Sequence, residues 1–164
     1  IGVRLVGSEM CIRDRAMFTQ AAKSRGMQTP LAVGDRLDTD IAGGVAAGMP
    51  ALHVLTGVSG PYALLQAPPE HRPTYIAADM RGLSVSPEAL ASGAQEGFAA
   101  RIDGSAIVLS GGNPGASSLA ALRTALDVAW QQQEPPAEVR AESDVAEAAL
   151  AEGCLLYTSD AADE

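Results

Sequence analysis

The chain has 164 residues, of which 47% are hydrophobic, 19% charged and only 4% aromatic, and its formal net charge is −9. That acidic balance argues against a nucleic-acid or anionic-membrane surface. No apolar run approaches the roughly 18 residues that a membrane span needs.

The two ends differ in character from the middle. Residues 5–15 and residues 154–164 resemble translated DNA of transposon-based sequencing adapters, one read inward and the other outward. On that resemblance, 1–15 and 154–164 stand outside the protein proper, as a tag would, and 16–153 is a fragment open at both ends. The alternative is that Met10 to Arg15 is a real helix start. Residues 16–153 hold eight Lys/Arg against fifteen Asp/Glu, a net of −7 of the same sign. Both cysteines, Cys11 and Cys154, fall in the adapter-like ends. The middle therefore has no disulfide framework, no thiolate nucleophile and no Cys-based zinc site. Abundant Ala and Gly with few aromatics suggest a bacterial source of high GC content.

From Met17 the pattern alternates between helix and strand. Met17 to Arg25 reads as a helix with Met17, Phe18, Ala21 and Ala22 on one face and Gly26 as its C-cap. Pro30 to Gly34 is a short buried strand. Thr39 to Ala47 is predicted helical, with Asp38 as N-cap and Ile41, Val45 and Ala46 facing inward. Ala51 to Leu55 is a second buried strand, Thr56 to Gly60 a loop, and Tyr62 to Gln66 a short helix. Thr74 to Ile76 is a third strand, and Asp79 to Leu83 a turn or short helix. Residues 84–97 show weak periodicity. Ser105 to Ser110 is a strand after the turn at Asp103 and Gly104. Ser117 to Gln133 is predicted to be the longest helix, ended by Pro135 and Pro136. Ser143 to Leu150 is a final amphipathic helix. Continuous apolar strands separated by helices predict an α/β fold, a parallel sheet covered on both faces. Ligands of such sheets bind at the carboxyl ends of the strands.

The acids at Asp35, Asp38 and Asp40 fall within six residues, directly after the apolar run Leu31 to Val33. Packed carboxylates repel one another and resist desolvation, and a bound cation makes such a cluster tolerable. Hard oxygen ligands suit Mg²⁺, which commonly takes one or two protein carboxylates together with a substrate phosphate.

The run Gly34 to Ile41, then Gly43-Gly44, Ala47 to Met49, Val54 to Val58, Arg72 to Ile76, Asp79 and Gly82-Leu83, is similar to a known signature. It resembles the fourth motif and following segments of the haloacid-dehalogenase-like (HAD) phosphatases, subgroup IIA, which includes phosphoglycolate and 4-nitrophenyl phosphatases. The resemblance covers residues 16–83. It implies a partial Rossmann-like, three-layer core over 16–83, with 84–153 as a C-terminal α/β extension.

The resemblance also implies a chemistry. Phosphatases of this family form an aspartyl-phosphate on a nucleophilic Asp, with Mg²⁺ neutralising charge so that carboxylate and phosphate can approach. By position, Asp35 is the implied Mg²⁺ ligand, with Asp40 and Gly34 supporting it. The alternative for Asp35 is that it caps a turn. Asp38 is read as a helix cap, and Arg36 as the partner of a nearby acid. The nucleophile, Ser/Thr and Lys motifs of the family would precede residue 16, so the chain as it stands is expected to be inactive. The implied partner is a small-molecule phosphate ester, with no nucleic acid and no membrane. Self-association into a homo-oligomer is left open, and the implied location is cytoplasmic. The competing reading is a non-catalytic α/β module that binds a metal or anion, or another protein.

Other signals are weaker. His53 lies inside an apolar strand and reads as a core histidine; His71 reads as solvated. Ser110 to Gly115 follows a strand and precedes a helix, as a phosphate cradle would. It lacks the Gly-Lys-Ser/Thr and Gly-x-Gly-x-x-Gly patterns and is read as a loop.

Overall fold

The computed structural model describes residues 6–153, with side chains from Arg15 onward. The adapter-like stretch 154–164 lies outside the described residues. Residues 6–15 of the other stretch open a long helix, α1 (Val6–Ser24). Helix formers such as Glu9, Met10 and Arg13, with no proline among them, account for that conformation whatever their origin. The helix stops where Gly26 takes φ +60°. There the Met27 amide donates to the Ala22 carbonyl at 3.0 Å and the Gly26 amide to the Lys23 carbonyl at 3.1 Å. These are the paired bonds of a Schellman cap, which needs a left-handed residue at this point.

The described residues divide into two compact units, one running to residue 60 and taking in 67–90, the other made of 61–66 and the residues from 91 onward. The first holds strands β1 (Ala32–Gly34), β2 (Ala51–Val54) and β3 (Tyr75–Ala77) in one parallel sheet of that order. Val33 pairs with Leu52, and Leu52 with Tyr75. β2 is buried along its whole length, as a central strand of a parallel sheet must be. Leu52, Val54, Ala77 and Leu90 form a core cluster, with Val33 and Tyr75 packed against it. β1 lies at an edge and pairs, among the described residues, with β2 alone.

The segment after β1 departs from expectation. The predicted helix with an Asp38 cap is instead a π-helical turn (Leu37–Ile41) leading into α2 (Ala42–Ala46). Neither has a side-chain N-cap. Asp38 does not cap because its carboxylate is taken by Arg36. The Ile41 amide donates to the Arg36 carbonyl, a bond across five residues. That wider turn inserts a residue and rotates everything after it. Ile41 is buried as predicted, but Ala46 is exposed, and Ala42, Gly43 and Gly44 occupy the inner face.

The first unit also carries a 3₁₀ turn at Pro69–His71, a second at Met80–Ser84 and helix α4 (Pro87–Leu90). His71 is half-buried rather than solvated.

The second unit has its own sheet, β4 (Phe98–Asp103), β5 (Ala106–Gly111) and β6 (Glu138–Ala141). It corrects the expectation of parallel strands throughout: β4 and β5 are antiparallel, and only β5 and β6 are parallel. The turn read at Asp103 and Gly104 is the hairpin between β4 and β5, with Asp103 paired to Ala106. Helices α3 (Pro61–Leu65), α5 (Ser118–Ala129) and α6 (Asp144–Glu152) complete the unit. α5 is shorter than predicted and, among the described helices, α1 exceeds it. It ends at Trp130, whose ring Nε1 donates to the Leu64 carbonyl at 3.0 Å. Ser117 and Ser143 cap α5 and α6, each accepting from an amide three residues on. No helix among the described residues is long and apolar enough to cross a membrane.

Candidate active site

β1 ends at Gly34, so Asp35 leaves the sheet at its carboxyl end. The next strand, β2, ends at Val54 and feeds the loop Thr56 to Gly60, which returns to the same place. Three backbone contacts join the two. The Val58 amide donates to Asp35 Oδ2 at 2.9 Å, and the Ser59 amide donates to the Asp35 carbonyl at 3.0 Å. In the other direction, the Leu37 amide donates to Ser59 Oγ at 3.2 Å. The approach is close enough that a Cβ on Gly57 would fall 1.7 Å from Asp35 Oδ2. Only a residue with no side chain fits there. The bond to Val58 occupies Oδ2 and leaves Oδ1 for another partner.

The three acids do not converge. Asp38 is exposed and makes a two-pronged pair with Arg36, from Nε at 3.2 Å and Nη2 at 2.9 Å. The Arg36 hydrogen bond holds the Asp38 carboxyl below its ordinary pKa, and the guanidinium is raised in return. Asp40 turns back and accepts the Arg36 amide on Oδ2 at 3.2 Å. It sits directly over Gly34, where an added Cβ would fall 2.2 Å from Asp40 Cβ. Gly34 and Asp40 therefore brace the turn that presents Asp35. Among the described residues no group of three or more His, Cys, Asp or Glu side chains is gathered to hold a metal ion. The expected charge cluster is thus resolved mostly by local hydrogen bonds, and Asp35 is the acid left facing outward from the strand end.

Two further residues belong to this arrangement, and the sequence marks only one of them, His53, and that only as a core residue. Ser59 links the loop to both Asp35 and Leu37. His53, on β2, is fully buried and places Nε2 2.8 Å from the Ser59 carbonyl. Burial lowers its pKa from the ordinary value; the Ser59 bond and the nearby Asp35 and Asp40 charges act in the opposite sense. Ser59 is a small polar residue in a predicted loop, so nothing in the sequence separates it from its neighbours.

Asp79 also lies at the carboxyl end of the sheet, after β3. Its carboxylate caps the following turn through the Arg81 amide at 2.8 Å and pairs with the Arg81 guanidinium. In the second unit, the Ser110 to Gly115 loop is no anion cradle. The Ser117 amide at the head of α5 donates to Glu96 Oε2 at 2.5 Å, and Ser117 Oγ reaches Glu96 Oε1 at 3.2 Å. The helix terminus already has its anion.

Residues 14–83 match the HAD-hydrolase-like family. The chain is similar to D-glycerol 3-phosphate phosphatase of Mycobacterium tuberculosis (strain ATCC 25618 / H37Rv), 43% identical over 94 residues, which is 57% of this chain and 27% of that protein. Crystal structures of the M. tuberculosis glycerol phosphate phosphatase are similar too. The complex with magnesium gives TM-score 0.79 and 34% identity over 87% of this chain and 43% of that one. The complex with calcium gives 0.80 and 33% over 89% and 45%. The chain thus spans less than half the length of the relatives it matches. The parallel sheet and the acid at its carboxyl end lie within residues 14–83, the stretch that is similar to the HAD-hydrolase-like family.

Proposed function

We propose that this chain is the C-terminal part of a Mg²⁺-dependent phosphatase that hydrolyses small phosphate monoesters through an aspartyl-phosphate. The observation that carries the reading is Asp35, which stands at the carboxyl end of a parallel strand and is held through one oxygen by the Val58 amide. Support comes from the similarity to a glycerol phosphate phosphatase crystallised with magnesium.

The residues present fit the ion in a limited way. Asp35 offers a hard oxygen in a fixed position, and one or two protein carboxylates suffice where waters and a substrate phosphate supply the rest. When bound, Mg²⁺ would supply the positive charge that lets an anionic nucleophile meet an anionic phosphate. This chain's own contribution is to hold Asp35 still. Asp40 and Gly34 fix the turn, and Gly57 and Val58 fix the carboxylate. The attacking carboxylate belongs to a preceding part of the gene product. It forms a bond to phosphorus as the ester oxygen leaves, and water then cleaves the acyl phosphate. On this reading 16–83 completes a HAD-like core, 84–153 is an extension, the isolated chain is inactive, and the whole enzyme works in the cytoplasm.

The test is phosphatase activity of the full-length gene product with and without Mg²⁺, beside Asp35→Asn. Activity should require the ion. The substitution should lower kcat by on the order of 10² or more, the loss that follows removal of one electrostatic support of a charged transition state. Activity unchanged in D35N would remove Asp35 from the mechanism. Absence of any phosphatase activity in the wild type would favour a non-catalytic module.

A further inference from the structure

We propose that His53 is a positioning residue for Asp35, acting through the Ser59 and Val58 backbone. The proposal rests on the reading of Asp35 given above and adds the residue that holds its loop in place.

A histidine at this position carries a cost. His53 is fully buried on the central strand of its sheet. Its Nε2 lies 2.8 Å from the Ser59 carbonyl. A carbonyl only accepts, so Nε2 carries the proton and His53 donates. In the neutral ring Nδ1 is then a bare acceptor, and it has no hydrogen-bond partner among the described residues. Leaving a buried polar atom unpaired is unfavourable. A Leu at this position would meet the strand's need for an apolar side chain without that penalty. The histidine therefore has a use beyond filling the core, and the one bond it makes shows what the use is.

That bond leads straight to the acid. Ser59 takes the His53 proton on its carbonyl and gives its own amide to the Asp35 carbonyl. The preceding amide, of Val58, goes to Asp35 Oδ2. Ser59 Oγ receives the Leu37 amide on the far side of Asp35. The loop from Thr56 to Gly60 is thus tied to the core at one point by His53 and to Asp35 at two. Without the His53 tie, the peptide that orients the carboxylate rests on Asp35 and Leu37 alone, both on the segment it helps to hold, and each can move with the other. His53 touches neither the carboxylate nor any reacting atom. Its effect is on where Oδ1 points.

Two substitutions separate this role from packing. His53→Leu keeps an apolar side chain in the strand and removes the donor. His53→Gln keeps an N–H that can reach the Ser59 carbonyl. Amide hydrogen exchange in the full 164-residue chain should show Val58 and Ser59 exchanging about tenfold faster in H53L, with Leu52 and Ile76 unchanged. H53Q should restore wild-type rates. In the full-length gene product, H53L should raise the Mg²⁺ concentration for half-maximal activity by about tenfold, as loss of a ligand-orienting partner does. H53Q should again rescue, and H53L should add nothing in a D35N background. Should H53L lose the fold, with exchange rising at Leu52 and Ile76 as well, His53→Met fits a packed core more adaptably and serves the same comparison. Unchanged exchange at Val58 and Ser59 would overturn the proposal. So would a loosened loop in an enzyme whose Mg²⁺ dependence is untouched. If the wild-type gene product has no phosphatase activity, the functional reading fails by itself, and the exchange data still decide whether His53 governs the loop around Asp35.

Discussion

The two units each contain a strand that runs into a loop and then a helix, with an acid and several glycines nearby, yet among the described residues only the first presents a candidate site. In the second unit the polar groups around the β5–α5 loop satisfy one another. Glu96 takes the Ser117 amide and hydroxyl, Ser117 caps α5, and the Asn113 amide goes to the Glu96 carbonyl. In the first unit the loops after β1 and β2 satisfy Asp38, Asp40 and one oxygen of Asp35, and stop there. A glycine-rich loop at a strand end is therefore only a place where a site can be built. What makes it one is a polar atom that the local fold has positioned and not consumed.

The comparison breaks most sharply at its glycines. Gly57→Val would drive a side chain into the space held by Asp35 Oδ2. Activity of the full-length gene product should fall on the order of 10², the scale of losing one electrostatic support in the transition state. Gly97→Ala makes a matching clash in the second unit, with its Cβ 2.5 Å from Asn113 Oδ1 at φ +78°. It should lower the urea midpoint and leave kcat of the folded enzyme as it was. Equal losses of activity in both variants would dissolve the distinction between the units.

A smaller effect sharpens the reading of the second unit. Glu96→Ala removes the carboxylate from the head of α5, and loss of such a cap costs about 1 kcal/mol. Chemical denaturation should show that loss, and inorganic phosphate should not recover it. Recovery by phosphate would mean that the loop is an anion site after all.

The smallest effect is one of pH. Burial lowers the His53 pKa below its ordinary 6.5, so the folded state resists a proton that the unfolded chain accepts. The contribution is fully present above about pH 6.5 and is lost as pH falls from there toward the lower folded value. The first unit's denaturation midpoint should decline between pH 7 and 5, and H53L should flatten that slope. A slope unchanged in H53L would assign the decline to other groups.

Much of the first unit was legible in the chain itself. β1 is an apolar run between Pro30 and Gly34, β2 is one interrupted only by His53 after Pro50, and the acid after Gly34 marks the strand end. The turn that follows was not legible. Its π geometry depends on Arg36 engaging Asp38 and Asp40 at once, a choice among partners that spacing leaves undecided. β4 was missed because Phe98 to Asp103 contains two alanines and alternates only in its burial. β6 is four residues long, too short for a period to declare itself. The antiparallel pairing of β4 with β5 follows from the tight hairpin at Gly104 and Ser105, where the turn was seen and its incoming strand was not. His53 is the core residue that its apolar strand predicts, but not a fully satisfied one, since its Nδ1 has no partner among the described residues. What that reading lacked was the Ser59 carbonyl, a contact set by the path of the loop.

The most direct measurement is a crystal structure of the full-length gene product with Mg²⁺ and a phosphate mimic. The account predicts an Asp35 oxygen about 2.1 Å from the ion, with the Val58 amide still on Oδ2. An ion bound beside the phosphate mimic with the Asp35 carboxylate turned away from it would contradict the account.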